Sequence, residues 1–267
     1  MRGIVKIAIG LCVALVAIGL VFPSLSRVRE AAANIRCRNN LKQIALAVHN
    51  YEDTQGSLPQ GTFPNDRLEP EQRLGWQFAI LPYIESNSIY RRANKELSWD
   101  APENEEILLI SYKLFLCLGE GKSNAVLPVT TNYVGLAGLS PKAAFLPKDS
   151  PLAGVFGFER KINKEDIKDG TSNTILAIET SVELGPWAAG GNPTVRFVDF
   201  ERQPYLGVGR PFGGIHSGDR KWFSKTPTIA NVAFLNGSVR PLKDTIDPHV
   251  FEALVTIAGE EEVPEEY

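Results

Sequence analysis

The run IVKIAIGLCVALVAIGLVFPSLSRVREAAANIRCRNNLKQIALAVHNY, residues 4 to 51, decides the fold of this chain. Its first nineteen residues, 4–22, carry a single charge, Lys6, near one edge. A helix that crosses a bilayer needs roughly 20 apolar residues, with a lower limit of about 17. The Lys6 ammonium can extend toward the lipid headgroups, so it does not prevent insertion. We therefore predict a membrane anchor over residues 1–23.

Two other interpretations of this apolar run stay open. A cleaved signal peptide would use Arg2 and Lys6 as its basic region and the small residues at 24–26 as its cleavage site. A buried core helix is the other alternative, although sixteen consecutive apolar residues without a polar face suit it poorly. The sequence that follows favours the anchor, because a cleaved peptide has no need to continue into a long helix.

Residues 24–55 predict a spine helix that prolongs the anchor. No Gly or Pro occurs from Ser24 to Tyr51, and two apolar stripes recur at helical spacing. The first stripe is Leu25, Val28, Ala32 and Ile35, and the second is Cys37, Leu41, Ile44, Val48 and Tyr51. The stripes are turned round the axis, so the two halves should face different neighbours. We expect one helix from about residue 4 to about residue 52, ~70 Å long at 1.5 Å per residue and bent or loosened at Pro23.

The remaining chain predicts one exported α+β domain over residues 56–258 and an acidic tail over 259–267 that is expected to fray. Helices are predicted from Trp76 to about Asn94 and over 247–258. Six short segments rich in β-branched or aromatic residues, each bounded by Gly, Pro or Asn, predict strands. These are residues 113–117, 131–136, 174–179, 195–200, 230–235 and 237–242. The predicted architecture is a long N-terminal helix packed on a largely antiparallel sheet.

Composition excludes several classes of protein. Of 267 residues, 43% are hydrophobic and 22% charged, which is ordinary for a folded protein. Twenty-eight Lys and Arg against 31 Asp and Glu give a net charge of -3, with no basic excess for nucleic acid. Three cysteines and three histidines, without C-x-x-C or H-E-x-x-H spacing, leave little material for a zinc or iron–sulfur site. We expect no cofactor and no nucleic-acid partner.

Two of the three cysteines are candidates for a disulfide. Cys37 lies on the predicted spine helix and Cys117 lies at the end of a predicted strand. A bridge between Cys37 and Cys117 would therefore tie the helix to the sheet. Two unrelated buried thiols are the alternative.

Four segments carry a family resemblance: CRNNLKQIALAVHNY (37–51), TNYVGLAG (131–138), DGTSNTI (169–175) and ANVAFLNGSVR (230–240). Together with the apolar run that ends at Pro23, they make the chain resemble the type IV pilin-like family labelled domain of unknown function 1559. The resemblance implies a pilin-like, single-pass protein of the inner membrane with a cytoplasmic N-terminus and an exported C-terminal domain. Its implied partners are the lipid bilayer and other pilin-like subunits or cell-surface proteins. The biochemical role of the family is unassigned.

The N-terminus departs from the family pattern. In the family, a short leader ends in a Gly at which prepilin peptidase cuts, and a Glu lies inside the apolar run. Here the Glu position falls on Lys6 and the cleavage position on Met1. We therefore expect no leader, no prepilin processing and no incorporation into a pilus-type filament. Gly3 is a degenerate cleavage candidate.

The C-terminal motif also departs from the family, in which a His is followed nine residues later by Asp-Gly. Here the gap after His216 is about ten residues longer, and the dipeptide is Asn236-Gly237. Asn-Gly is expected to make the same type I′ hairpin turn as Asp-Gly, because both central residues must take φ > 0. Asn in place of Asp preserves the geometry of the turn but removes a carboxylate, so we interpret the motif as structural.

Two groups of residues could carry chemistry, and each also has a structural interpretation. Asp166 and Asp169 are weak Ca²⁺ candidates, with Asn173 and Glu179 as further oxygen ligands. Asp169-Gly170 is equally a turn, however, and the EF-hand pattern is absent. His216 is followed closely by Ser217 and Asp219. No G-x-S-x-G motif accompanies it, so it is interpreted as a loop or core histidine that bonds to backbone. The aromatic residues Trp187, Phe212, Trp222 and Phe223 could form a partner or glycan surface, or be buried in loops.

Two classes of function stay open. The favoured one is a non-enzymatic, membrane-anchored pilin-like or pseudopilin-like protein with a structural or interaction role in secretion or surface assembly. The other is an exported hydrolase or ligand-binding protein that uses the His216 region. Arg2 and Lys6 favour a cytoplasmic N-terminus. Four arginines beyond the apolar run oppose that orientation.

Overall fold

The structure, a computed structural model, describes residues 2–117, 130–217 and 227–264, and for residues 2 and 4–27 it describes the backbone alone. The architecture consists of one long N-terminal helix, a mixed β-sheet and short helical segments. This confirms the predicted α+β class and the N-terminal helix.

The first helix, α1, runs from Arg2–Gln55 and continues as a helix through Pro23. It ends three residues beyond the predicted position. Gly56 follows in a left-handed conformation (φ 74°), and its N–H donates to the Glu52 carbonyl at 2.8 Å. This is a common way for a helix to end, because Gly adopts positive φ without a steric penalty.

The predicted anchor, residues 1–23, lies outside the residues whose side chains are described. Within the described part of the chain, no helical stretch combines the length and the apolarity that crossing a bilayer requires. The anchor therefore stays a prediction.

The second half of α1 is buried along the face that its spacing predicts. Four positions of the second stripe are at most 2% exposed: Cys37, Leu41, Ile44 and Val48. They belong to a core cluster that also contains Trp76, Phe115 and Tyr133. The apolar periodicity in the second half of α1 therefore corresponds to packing against the domain.

The first half of α1 has different surroundings, as the rotated stripe predicts. Val28 and Ile35 are 66% and 58% exposed. Ala33, which is not part of the predicted stripe, is the residue of this turn that the fold buries. The described part of the domain therefore leaves Val28, Ala32 and Ile35 of the first stripe uncovered.

In the described part of the chain, six strands form one sheet. They are β1 (Tyr133–Gly138), β2 (Ile175–Glu179), β3 (Val195–Phe197), β4 (His216–Ser217), β5 (Thr228–Phe234) and β6 (Val239–Lys243). The path across the sheet is β3-β1-β2-β5, and β6 pairs with β5 on its other edge. All pairs are antiparallel except β1 with β3, which is parallel. Five of the six predicted strands are present, and β4 was not predicted.

Strands β2 and β4 share one edge of β5. β2 pairs with the last residues of β5, opposite Val232 to Phe234, whereas β4 pairs opposite Thr228 and Ile229. β6 pairs with residues 229 to 233 and so occupies the other edge. The C-terminal end of β2 therefore meets the start of β4.

The sheet is covered on both faces. On one face β-strand residues join the cluster of α1. On the other face Val134, Ile178 and Val232 pack against Phe251 and Leu254. Phe251 lies on the last helix, α5 (Pro248–Ala253), which is shorter than the predicted 247–258. Residues of the strands that point toward α1 are thus enclosed between the helix and the sheet.

The predicted strand at 113–117 is wrong, because residues Lys113–Phe115 form a 3₁₀ turn. The Asn40 side chain on α1 donates to the carbonyls of Lys113 and Leu116 at 3.1 and 3.0 Å. The Phe115 carbonyl accepts the N–H of Asn132 at 2.8 Å. These partners satisfy the backbone of the segment without a strand ladder.

The predicted helix from Trp76 to Asn94 is broken into three pieces. They are α2 (Trp76–Ala79), a 3₁₀ segment (Leu81–Ile84) and α3 (Asn87–Arg92). Pro82 lacks an N–H for an intrahelical bond, and Glu85 takes a left-handed conformation with φ 60°. Further helical segments are α4 (Glu105–Leu108) and the 3₁₀ turns Pro70–Gln72, Pro102–Asn104, Ala143–Phe145, Lys164–Asp166 and Phe200–Arg202.

The beginning of the acidic tail contacts the domain. Gly259 and Glu260 donate their N–H groups to the Asp169 carboxylate at 3.0 and 2.7 Å. Val263 packs against the apolar cluster beside α5. The fraying of the tail stays a prediction, and residues 265–267 lie outside the described residues.

Candidate functional site

Four side chains that could ligate a metal ion meet between α1 and the sheet. Cys37, Cys117, Glu179 and His216 each present a sulfur, oxygen or nitrogen atom, and these atoms all lie within 4.8 Å of one another. All four residues are buried, with at most 2% of their surface exposed. We call these four residues the buried cluster.

Each member of the buried cluster is placed by a different element. Cys37 belongs to the buried stripe of α1, and Cys117 follows the 3₁₀ turn Lys113–Phe115. Glu179 is the last residue of β2 and His216 is the first of β4. Because β2 and β4 share one edge of β5, these two residues become neighbours.

Cys37 and Cys117 form the predicted disulfide, with their Cα atoms 5.3 Å apart. The N–H of Cys117 donates to the Asn132 side chain at 2.9 Å, immediately before β1. The bridge therefore ties α1 to the edge of the sheet, as the sequence predicts. It closes a loop between residues 80 positions apart.

His216 contacts two members of the buried cluster through the same ring nitrogen. Its Nε2 lies 3.0 Å from Cys117 Sγ and 3.6 Å from Glu179 Oε1. Its Nδ1 has no hydrogen-bond partner among the described residues. His216 is thus a core histidine, as predicted, but its ring meets side chains rather than the predicted backbone partner.

Glu179 is held by Asn231 on β5. Glu179 Oε2 accepts the backbone N–H of Asn231 at 2.9 Å, and Asn231 Nδ2 lies 3.1 Å from both carboxylate oxygens. Asn231 Nδ2 also donates to Asn34 Oδ1 on α1 at 2.8 Å. This leaves Glu179 Oε1 directed toward Cys117 Sγ, 3.4 Å away. Asn231 therefore joins the helix, the sheet and the carboxylate.

Tyr133 stays protonated beside the buried cluster. Burial, and secondarily the nearby Glu179, raises the pKa of its hydroxyl well above the ordinary value. The hydroxyl donates to the Cys37 carbonyl at 3.3 Å. Tyr133 is therefore a fixed donor that holds the backbone of α1 at this point.

The two aspartates predicted as weak Ca²⁺ ligands serve as local structural acceptors. Asp166 pairs with the Lys148 ammonium at 2.7 Å and accepts the N–H of Asn163 at 2.9 Å. The Asp169 carboxylate accepts the N–H groups of Gly259 and Glu260. Among the described residues, neither belongs to a group of three or more metal-ligating side chains.

The hairpin of the C-terminal motif differs from the predicted type I′ turn. Within the hairpin loop only Gly237 takes a positive φ (80°), and four residues, 235–238, separate β5 from β6. Phe234 accepts the N–H of Gly237 at 2.9 Å and donates to the Ser238 carbonyl at 2.9 Å. The Asn236 side-chain oxygen accepts the N–H of Ser238 at 2.9 Å. A carboxylate could accept the same bond, so the structural interpretation of the motif stands.

The remaining candidate residues from the sequence form no functional surface within the described part of the chain. Trp187 and Phe212 are fully buried, so burial in loops is the correct interpretation for them. Asp219, Trp222 and Phe223 lie outside the described residues. Gly3 lies in the first turn of α1, which leaves its role as a cleavage site a prediction.

Sequence reasoning singled out the two cysteines and His216, but it did not bring them together with Glu179 and Asn231. Glu179 enters the sequence analysis only as a calcium ligand, and Asn231 only as a letter in a family segment. Nothing in the spacing of Glu179 and His216 announces that they meet. The one available signal was a carboxylate directly after four apolar strand residues, ILAI, where burial demands a partner.

One comparison with known proteins gives a match. A family model described as "Protein of unknown function (DUF1559)" matches residues 26–249. No curated protein and no solved structure shows significant similarity to the chain.

Removing the disulfide should loosen α1 from the sheet. For the full-length chain in detergent, we expect Cys37→Ser/Cys117→Ser to lower the free energy of unfolding by about 4 kcal/mol, because an 80-residue loop is no longer closed in the unfolded chain. Urea titration followed by the fluorescence of buried Trp76 and Trp187 measures this. Cys12→Ser is the matched control and should change nothing. A loss below about 1 kcal/mol would contradict the role of the bridge.

Asn231→Asp should place a second carboxylate against Glu179. We expect the free energy of unfolding to fall by about 3–5 kcal/mol at pH 7, because an uncompensated buried charge is created. Urea titration at pH 7 measures this. Asn39→Asp, on the exposed face of α1, is the control, and equal losses in the two variants would refute the assignment.

Proposed function

The chain belongs to the DUF1559 family of proteins of unknown function, and on that premise we propose that it is a membrane-anchored, pilin-like protein with an exported head. Its proposed role is structural or interactive, in secretion or surface assembly, and not enzymatic. The observation that carries the proposal is one continuous helix, α1, whose second half is docked on the sheet. The same helix begins with the nineteen-residue apolar run 4–22.

The dimensions of α1 fit this arrangement. Nineteen residues at 1.5 Å each give about 28 Å, close to the roughly 30 Å of a bilayer core. From Pro23 to Cys37 the helix advances about 20 Å further before it reaches the disulfide. We propose that this segment, residues 23–36, is a stalk between the bilayer and the head.

The exposed apolar residues of α1 support an interaction role. Val28, Ile35 and Leu46 are all more than half exposed. They are separated by seven and eleven residues, which are close to two and three helical turns, so they lie on one face. We propose that this face contacts a partner at the membrane, either another pilin-like subunit or a cell-surface protein.

The Cys37–Cys117 disulfide supports export of the head. Stable disulfides form in oxidising compartments and are rare in the cytosol. We propose that the N-terminus lies in the cytoplasm and that residues 56–258 lie outside the inner membrane.

The alternative of a hydrolase at His216 receives little support from the geometry. A nucleophile–His–acid arrangement uses one ring nitrogen for the nucleophile and the other for the acid. His216 instead meets both Cys117 and Glu179 through Nε2. Cys117 is oxidised to a disulfide, and the three residues are buried away from any substrate.

The anchor can be tested with two charges at its centre. We expect Leu15→Asp/Ile18→Asp to move the protein out of the carbonate-washed membrane pellet, because each acidic residue costs about 3 kcal/mol at the middle of a spanning helix. Fractionation and immunoblotting of the full-length chain measure this. Val28→Asp/Ile35→Asp carries the same charges on the stalk and should stay in the pellet. A wild-type chain that is freely soluble with residues 1–23 still attached would overturn the proposal.

A further inference from the structure

We propose that the buried cluster is a Zn²⁺ site when its disulfide is reduced. The four ligands would be the sulfurs of Cys37 and Cys117, Oε1 of Glu179 and Nε2 of His216. The disulfide and the zinc-bound dithiolate would then be two alternative states of one site, which links the attachment of α1 to redox conditions and metal supply.

Two separations within the buried cluster match those around a tetrahedral zinc ion, and a third is about 0.3 Å shorter. Zinc bonds of about 2.0–2.3 Å to nitrogen, oxygen and sulfur place neighbouring ligands roughly 3.3–3.8 Å apart. Cys117 Sγ lies 3.0 Å from His216 Nε2 and 3.4 Å from Glu179 Oε1. The separation of His216 Nε2 from Glu179 Oε1 is 3.6 Å. The two sulfurs are closer only because they are bonded, and reduction frees them to separate.

In the reduced state the buried cluster would hold more acceptors than donors. Glu179 Oε1 accepts from Asn231 Nδ2 at 3.1 Å, and on its other side it faces Cys117 Sγ and His216 Nε2. Two thiolates beside this buried carboxylate oxygen would be costly without a cation. A cation at their centre would satisfy all four atoms at once.

Hydrogen bonds hold three of the four ligands from outside, as is usual at metal sites, whereas His216 Nδ1 has no partner among the described residues. Asn231 donates its backbone N–H to Glu179 Oε2 and its side-chain Nδ2 to both carboxylate oxygens. Asn132 accepts the N–H of Cys117, and Tyr133 donates to the carbonyl of Cys37. The contacts at the two cysteines leave their sulfurs unoccupied, and Glu179 Oε1 keeps a second lone pair for a metal ion.

The ligand types select the metal. Thiolate and imidazole favour Zn²⁺ over Ca²⁺ or Mg²⁺, which prefer oxygen. Two thiolates and one carboxylate carry a charge of -3, which Zn²⁺ reduces to -1. Four protein ligands close the coordination shell, which is typical of a structural site rather than a catalytic one.

Electrons and protons balance in the conversion between the disulfide and the zinc-bound dithiolate. A dithiol reductant gives two electrons and two protons to the Cys37–Cys117 bond and becomes a disulfide itself. Each thiol then releases its proton to solvent as Zn²⁺ binds. In reverse, exchange with an oxidising disulfide regenerates the bridge, takes up two protons to form the leaving dithiol, and releases Zn²⁺.

Zinc titration of the full-length, untagged chain in detergent tests the proposal. The chain is reduced with a dithiol, freed of reductant without oxygen, and titrated with Zn²⁺ against a chromophoric chelator. We expect one Zn²⁺ per reduced chain and none per oxidised chain. Failure of the reduced chain to bind, or equal binding by the oxidised chain, would overturn the proposal. Membrane attachment plays no part in this result, so its failure is separate from that of the proposed function.

Ligand identity is tested on the unaltered chain and on matched variants. X-ray absorption at the zinc edge should show two sulfurs at about 2.3 Å and two nitrogen or oxygen ligands at about 2.0–2.1 Å. We expect His216→Ala to weaken Zn²⁺ binding roughly 100-fold or more, because losing a residue that only orients a metal ligand already costs about 10–100-fold in metal affinity. His249→Ala, whose side chain is 88% exposed, should leave binding unchanged. An all-oxygen shell in the unaltered chain, or equal effects of the two variants, would refute the assignment, and the spectrum decides even where His216→Ala fails to fold.

Discussion

The docking of the second half of α1 on the sheet is the constraint on which the rest of the structure depends. It covers the face of the sheet that carries Glu179 and Asn231, and it brings Cys37 within bonding distance of Cys117. Without the helix, a carboxylate and an amide at this place would be solvated. With it they must satisfy each other, because unpaired polar groups in a core are costly.

Asn231 shows how the fold meets that requirement. Its backbone and side chain both donate to Glu179, and the same side chain reaches Asn34 on α1. Asn231 therefore offsets the free-energy cost of burying the Glu179 carboxylate and, through Asn34, also bonds the sheet to α1. The disulfide performs the second task covalently, so two independent contacts fix α1 at the same level of the sheet.

The proposed anchor and the proposed zinc state both follow from this docking. The helix packs on the domain mainly through its second half, and Val28 and Ile35 in its first half remain exposed. The same packing excludes water from the buried cluster. Its two cysteines form a disulfide when oxidised and, in the proposed zinc state, bind the metal together with Glu179 and His216 when reduced. The first half of α1 thus presents exposed apolar side chains, while its second half encloses the buried cluster.

The amino-acid sequence alone predicts the second half of α1 and five of the six strands, because each carries a local pattern of apolar or β-branched residues. It also singles out Cys37 and Cys117 as candidates for a disulfide, and the structure shows the bond. Tertiary structure alone brings Glu179 and His216 together, since their contact depends on β2 and β4 pairing in succession along one edge of β5. It also decided that residues 113–115 form a turn held by Asn40, and that β3 lies parallel to β1. Strand register and side-chain partners join residues far apart in the chain, and no local pattern encodes that proximity.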